Sequence, residues 1–236
     1  MENKINKTVT IIIPVFNEVN YIDNVINRVN KNLKFKKQII VIDDCSTDGT
    51  TKILNNLKDK ISSLSVNEKN YGKGFCIKKG IEIATGDIIL IQDADLEYNP
   101  KDYKKLIFPI MEKKCAVVYG SRVLPGAKRV RPKKIIIQLS KIANHFLTAL
   151  SNFLNKQNLT DAHTCYKAFD KKILNKINLV ENGFNFCPEI TAKVSKLKIK
   201  IFEVPIEYHG RSHKDGKKIK VIDGFKAVYA VIKYNI

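Results

Sequence analysis

An α/β fold with a mixed, mostly parallel sheet follows from three observations. β-Branched apolar runs alternate with helix-period patterns through the first half of the chain, the signature of βαβ units. The run from Ile88 to Ile91 has no polar alternation, as befits a strand buried on both faces. Polar or acidic residues recur where these runs end, at Glu18, at Asp43 with Asp44, and at Asp93 with Asp95. In open parallel sheets, ligands bind beyond the carboxyl ends of the strands.

Val9 to Val15 predicts a first strand, stopped by Pro14, which lacks a ladder donor. Asn17 and Glu18 open a helix whose apolar positions are Ile22, Val25, Ile26 and Val29. Gln38 to Ile42 is a second strand, and Asp43-Asp44-Cys45-Ser46-Thr47-Asp48-Gly49-Thr50 follows it. After a helix carrying Ile53, Leu54 and Leu57, a weaker strand from Leu64 to Val66 leads into Asn70-Tyr71-Gly72-Lys73-Gly74 and a helix to about Ala84. The acidic strand end Gln92-Asp93-Ala94-Asp95-Leu96-Glu97 comes next. Asp93 and Asp95 can reach one hard cation from a single turn, with Glu97 as a third oxygen donor. Turn and cap chemistry explains each cluster alone. Several carboxylates on one sheet edge repel one another unless a ligand or cation offsets them.

Composition narrows the function. The chain has 236 residues, 44% hydrophobic, enough to bury a sizeable core. Its formal charge is +19, yet only five of the 42 basic residues are Arg, so 37 are Lys, spread through the chain. That dispersion speaks against a nucleic-acid surface, while a net positive face favours anionic partners such as nucleotides, phosphates or an anionic membrane. Five cysteines without CxxC spacing read as reduced thiols. Met1 to Thr8 lacks the apolar core of a signal peptide, and no run approaches the ~20 apolar residues of a membrane span. The expectation is a cytoplasmic protein, soluble or peripheral on the inner face of the membrane. There is no GxGxxG after the first strand and no GxxxxGK[ST], which excludes the common dinucleotide and P-loop sites.

Four stretches, in order and spacing, resemble family 2 glycosyltransferases: Ile12 to Glu18, Val41 to Thr50, Asn70 to Gly74, and Gln92 to Asp95. Within that family the chain is most similar to the dolichyl-phosphate mannose synthase and polyprenyl-phosphate group. The resemblance implies a GT-A fold, a nucleotide-diphosphate-sugar donor and Mg²⁺ or Mn²⁺. It implies that Pro14, Phe16 and Glu18 flank the base, although Phe16 stands where a tyrosine is often found. Asp43 and Asp44 would serve base or ribose, Lys73 the nucleotide, and Asp93, Asp95 and Glu97 the metal. Asp93, Asp95, Asp161 and Arg122 form the expected catalytic set.

The second half continues with a strand from Ala116 to Tyr119 and Gly120-Ser121-Arg122. Arg122 suits a phosphate, or else pairs with an acid at the strand end. The basic run Lys128 to Lys134 precedes an amphipathic helix, 134–155, which packs on the core or a dimer partner, or lies on a membrane surface. Leu159 to Phe169 resembles the family's acceptor motif. There Asp161 orients a phosphate or serves as general base toward a hydroxyl. His163 is flagged without a role, and Glu189 serves either the acceptor or its own helix N-terminus. Lys198 to Val204 predicts a late strand. In loop 209–218, Arg211 and Lys217 match the spacing of a phosphate clamp in the resembled group. Val221 to Tyr234 predicts a last amphipathic helix, after which longer relatives carry membrane helices, so no integral anchor is expected. The reading is one domain, with a nucleotide-sugar and metal half (8–120) and an acceptor half (121–236). It is that of an inverting, metal-dependent hexosyltransferase using GDP-mannose or UDP-glucose type donors and a polyprenyl (dolichyl or undecaprenyl) phosphate. The alternative acceptor is a saccharide hydroxyl in surface-polysaccharide synthesis. A homodimer or a separate membrane-anchor subunit is compatible with it.

Overall fold

A computed structural model describes residues 7–32, 35–130, 136–211 and 221–236. In chain order its main elements are β1 (Val9–Val15), α1 (Ile22–Asn32), β2 (Lys37–Asp43), α2 (Thr50–Asn56), β3 (Ser63–Val66), α3 (Lys73–Ile83), β4 (Ile88–Ile91), α4 (Tyr103–Met111) and β5 (Val117–Ser121). They continue with β6 (Lys128–Val130), α5 (Ile136–Asn155), β7 (Lys167–Asp170), α6 (Lys171–Leu174), α7 (Phe186–Lys196), β8 (Phe202–Pro205), β9 (Glu207–His209) and α8 (Val221–Lys233).

Seven strands form one sheet in the order β3-β2-β1-β4-β7-β5-β8. β1 pairs in parallel with both β2 and β4, and β5 in parallel with β8. Only β7 runs antiparallel, between β4 and β5. The expected mixed, mostly parallel sheet is therefore present. β7 itself lies within the stretch read as an acceptor motif and carries no β-branched residue, so no strand is predicted there. Its place comes from the gap between β4 and β5, which Ala168 and Phe169 fill with no exposed surface. β7 also joins the two expected halves, since a strand from the second completes the sheet of the first.

Pro14 does not stop β1. It stands in register with Ile42, and pairing with β4 has already ended at Ile12, so no donor is demanded on that side. The first helix begins at Ile22 rather than near Glu18, because Asn17 takes a left-handed turn at φ 49°, a conformation asparagine tolerates. The late strand is shorter than expected, Phe202–Pro205.

One core lies on each face of the sheet. On one side Ile11, Ile13, Leu90 and Val118 meet Val25, Ile26 and Val29 of α1 and Leu106, Ile107 and Ile110 of α4. On the other, Ile12, Ile40, Ile89 and Tyr119 meet Cys76 and Ile77 of α3 and Ile190 and Val194 of α7. A strand with apolar residues on both faces needs both layers, and the carboxyl ends of β1, β2 and β4 are left facing one cleft. Among the described residues no helix is long and apolar enough to cross a membrane.

Candidate active site

The acidic turn after β4 is braced from beneath. Gln92 is buried; its Oε1 accepts from the hydroxyls of Tyr103 (2.8 Å) and Tyr166 (3.0 Å), and its amide donates to the Asp93 carbonyl. Asp93 pairs with Lys73 at the start of α3. Burial opposes the charge on Lys73, but the Asp93 carboxylate outweighs it and holds the ammonium well above the usual lysine range. Lys73 reaches this point because Gly72, at φ 102°, lets the chain enter α3 against the 181–183 loop. A Cβ there would meet the Asn182 carbonyl at 2.5 Å.

Asp95 faces Arg211, which bridges three carboxylates. Its Nη2 lies 2.9 Å from Asp95, and Nη1 and Nη2 lie 2.8 and 3.1 Å from the two oxygens of Glu18. Its backbone N–H donates to Glu97 at 2.7 Å. Burial, then the neighbouring Asp93 and Glu97, push the Asp95 carboxyl up to about 7, against the pull of Arg211. Among the described residues four acids share two bases here, and such a cluster suits a cation.

Three of the expected site carboxylates meet protein partners in this geometry. Glu97 is turned toward Arg211 and Tyr208. The chain reverses at Leu96 (φ 60°), and the Glu97 oxygens accept from the Arg211 amide and, at 2.8 Å, from the Tyr208 hydroxyl. Among the described residues no three His, Cys, Asp or Glu side chains form a metal cluster. Asp43 and Asp44, expected at base or ribose, are turned inward. Asp44 accepts from Asn67 (2.8 Å) and from the amides of Tyr71 (3.0 Å) and Gly72 (2.7 Å). Asp43 accepts from Ser46 and Thr51. Free amides in a loop beyond a strand end need acceptors, and these two aspartates supply them.

The other side of the cleft is built on Asp161 and Arg122. Asp161 has no exposed surface. It accepts from Arg122 Nε (2.6 Å), Nη2 (2.8 Å) and backbone N–H (3.1 Å), and from Asn144 (3.2 Å). Burial alone would raise its pKa, but Arg122 outweighs burial and holds it below the ordinary aspartate range. Glu203 fixes the loop, accepting from the amides of Thr160 and Asp161 at 2.7 and 3.0 Å. A carboxylate held this way is a poor general base. Lys167 is buried; its Nζ lies 3.4 Å over the Tyr119 ring and donates to the Ala162 carbonyl, and burial pushes it down to about 8. His163 is pushed down to about 4, by burial and then by the Lys167 charge. Glu189 accepts from the amides of Val180 and Glu181 and from Lys193, so it braces the loop before α7 instead of facing an acceptor.

Beside Arg122 opens a cavity of about 640 Å³. Arg122, Arg129, Asn144 and His145 give it polar walls, and Val123, Ile142 and Phe146 give it apolar ones. Arg122 and Arg129 lie over one Tyr208 ring, at 5.1 and 5.6 Å from its centroid. Among the described residues Arg129 has no carboxylate partner, and its buried Nε has no acceptor. Sequence reasoning did not place Arg129 and Asn144 beside this cavity; the signals were a basic run for Arg129 and a polar position in an amphipathic helix for Asn144. Pro14 and Phe16 are half-buried at the end of β1, near Glu18. Lys217 and most of loop 209–218 lie outside the described residues.

The mostly parallel sheet that carries these carboxylates and the basic pocket is shared, as a fold, with known proteins. The chain belongs to glycosyl transferase family 2, whose profile covers residues 10–177, and is a glycosyltransferase. It is 30% identical over 249 residues to the UDP-N-acetylglucosamine–dolichyl-phosphate N-acetylglucosaminyltransferase of Methanococcus voltae, with 96% of each chain covered. It is 28% identical to the dolichyl-phosphate beta-glucosyltransferase of Trichomonas vaginalis, over 96% of this chain and 72% of that one. The crystal structure of glucosyl-3-phosphoglycerate synthase from Mycobacterium tuberculosis with Mg²⁺ and uridine diphosphate superposes with a TM-score of 0.72 at 15% identity, covering 97% of this chain and 79% of that one. The fold is GT-A.

Proposed function

We propose that this glycosyltransferase moves a sugar, with inversion, from a nucleoside-diphosphate sugar to a polyprenyl phosphate at a membrane surface, the protein acting peripherally. The observation that carries this reading is the cavity beside Arg122. Arg129, without an acid partner among the described residues, stands in a pocket that sets Arg122, Asn144 and His145 opposite apolar walls from Val123, Ile142 and Phe146. An amphiphile with an anionic head fits those walls. The names of the relatives, which specify dolichyl phosphate, support the same acceptor class.

Carboxylate oxygens suit Mg²⁺ or Mn²⁺, and the surplus of acids over bases around Asp95 fits one. Asp93 and Asp95 would hold it. When bound, such an ion offsets the charge that develops on the leaving diphosphate. Lys73 and Arg211, now paired with those carboxylates, are free to move to diphosphate oxygens once the acids are otherwise neutralised. Arg122 and Arg129 hold the acceptor phosphate, and Asp161 keeps Arg122 oriented. A phosphate oxygen is already ionised and attacks without a base. The bound, ionised Asp161 agrees better with that acceptor than with a saccharide hydroxyl, which needs deprotonation.

The test is a radiolabelled transfer assay with undecaprenyl phosphate and Mn²⁺. It offers UDP-N-acetylglucosamine, UDP-glucose and GDP-mannose in parallel, with Asp93→Ala as control. Label entering the lipid phase from one donor, and lost in the control, is the expected result. Transfer to a saccharide instead of lipid would overturn the acceptor reading. No turnover with any donor would overturn the whole proposal.

A further inference from the structure

α5 is built inside out. Its buried positions include Thr148, Ser151 and Asn155 beside Leu147. Its exposed positions include Ile142, Phe146, Ala149 and Phe153, spaced four, three and four residues apart and therefore on one face. Phe146 is 62% and Phe153 81% exposed. Thr148 accepts from the Ala162 amide and Asn155 donates to Ser151, while the buried Asn155 Oδ1 has no partner. α8, which packs against α5, is apolar on both sides, with Ala230 and Val231 inside and Phe225 (69% exposed), Tyr229 and Ile232 outside. A helix in water turns its apolar face to the core and its polar face to solvent; two adjacent helices that expose large apolar side chains have apolar surroundings on their outer side.

The charges identify those surroundings. α5 contains no Asp or Glu. In sequence, five of the seven residues 128–134, just ahead of α5, are Lys or Arg, and Lys214, Lys217, Lys218 and Lys220 precede α8. An apolar stripe beside basic runs complements an anionic lipid surface, whereas two copies of the chain would bring like charges together. Ile142 and Phe146 also wall the cavity that holds Arg129, so the stripe and the proposed acceptor pocket are continuous. We propose that α5 and α8 together form a docking face for an anionic bilayer, with Phe153 and Phe225 inserted among the lipids. The inference deepens the polyprenyl-phosphate reading and rests on it only for what enters the cavity.

The test is flotation of the full chain with vesicles, without donor, metal or acceptor. One set is pure phosphatidylcholine and the other contains 30 mol% phosphatidylglycerol. Phe153→Glu and Phe225→Glu are the variants, both at positions outside the cavity. The expected result is binding to the anionic vesicles, reduced at least tenfold by each variant and abolished by the pair. Transfer to a short-chain, water-soluble prenyl phosphate stays unchanged. Equal binding by wild type and double variant would overturn the docking face. So would absence of vesicle binding together with a dimer in sedimentation velocity that the same variants dissociate. Vesicle binding without transfer to any prenyl phosphate would leave the face standing and remove the acceptor reading.

Discussion

The two sides of the cleft balance their charges in opposite ways. On the donor side Glu18, Asp93, Asp95 and Glu97 share Lys73 and Arg211. On the acceptor side Arg122 is matched by Asp161, while Arg129 has no acid among the described residues. Among the described residues the first has more acids than bases and the second more bases than acids. On the function proposed above, a cation with its diphosphate would complete one and an anionic acceptor the other. The overall charge of +19 gives no hint of this, because the local imbalance has opposite signs on either side of Tyr208, whose hydroxyl meets Glu97 and whose ring meets Arg122 and Arg129.

The two sides also differ in what holds them. Asp161 is fully buried and bonded on both oxygens, so Asp161→Asn leaves Arg122 as an uncompensated buried charge. Such a loss costs about 3–5 kcal/mol. Thermal unfolding is expected to fall by ~10 °C, with partial recovery when Arg122→Gln is added. If Asp161→Asn unfolds like the wild type, the acceptor side is not built on this pair. Asp93→Ala acts on the reaction instead. Removing a group that stabilises developing charge costs on the order of 10²–10³ in rate, and the transfer assay should record that loss with the circular dichroism spectrum unchanged.

If Arg129 holds the acceptor phosphate as proposed, Arg129→Gln removes one charge-assisted contact, worth about 1.5–3 kcal/mol. It is expected to raise KM for the lipid phosphate ~10-fold or more, leaving kcat and donor KM alone. An effect on donor KM would move Arg129 to the other side of the comparison.

The smallest effect is one of pH. The Asp95 carboxyl is pushed up to about 7, from the ordinary aspartate value of 3.8. Between those values the unfolded chain has given up its proton and the folded chain keeps it, so this group's contribution to stability falls as pH rises from about 4 to about 7. A cation requires the ionised form. Stabilisation by Mn²⁺ with UDP, measured as a shift in Tm, should therefore be larger at pH 8 than at pH 5.5. An equal shift at both would remove Asp95 from the metal reading. Asp95→Asn, without ligand at pH 8, should unfold within a few degrees of wild type, in contrast to Asp161→Asn.

Much of the fold is legible in the chain. β1, β2 and β4 are continuous β-branched runs, and such strands need apolar layers on both faces. The acidic turn after β4 and the glycines around Lys73 follow from local chemistry too, as does the amphipathic character of α5. The positions of Asp93, Asp95, Lys73 and Arg122 beside the cleft needed only strand ends and spacing. Tertiary structure decided the rest. No local pattern marks β7 as a strand; only the gap between β4 and β5 does. Whether a carboxylate faces the cleft or its own loop depends on which amides lack acceptors, and that turned Asp43, Asp44 and Glu97 away. Arg211 lies 193 residues from its partner Glu18, and Arg122 lies 39 from Asp161. Periodicity identifies α5 as amphipathic without saying which face is buried. That choice was made by the polar bonds waiting for Thr148 beneath it, which left Phe146 and Phe153 outside.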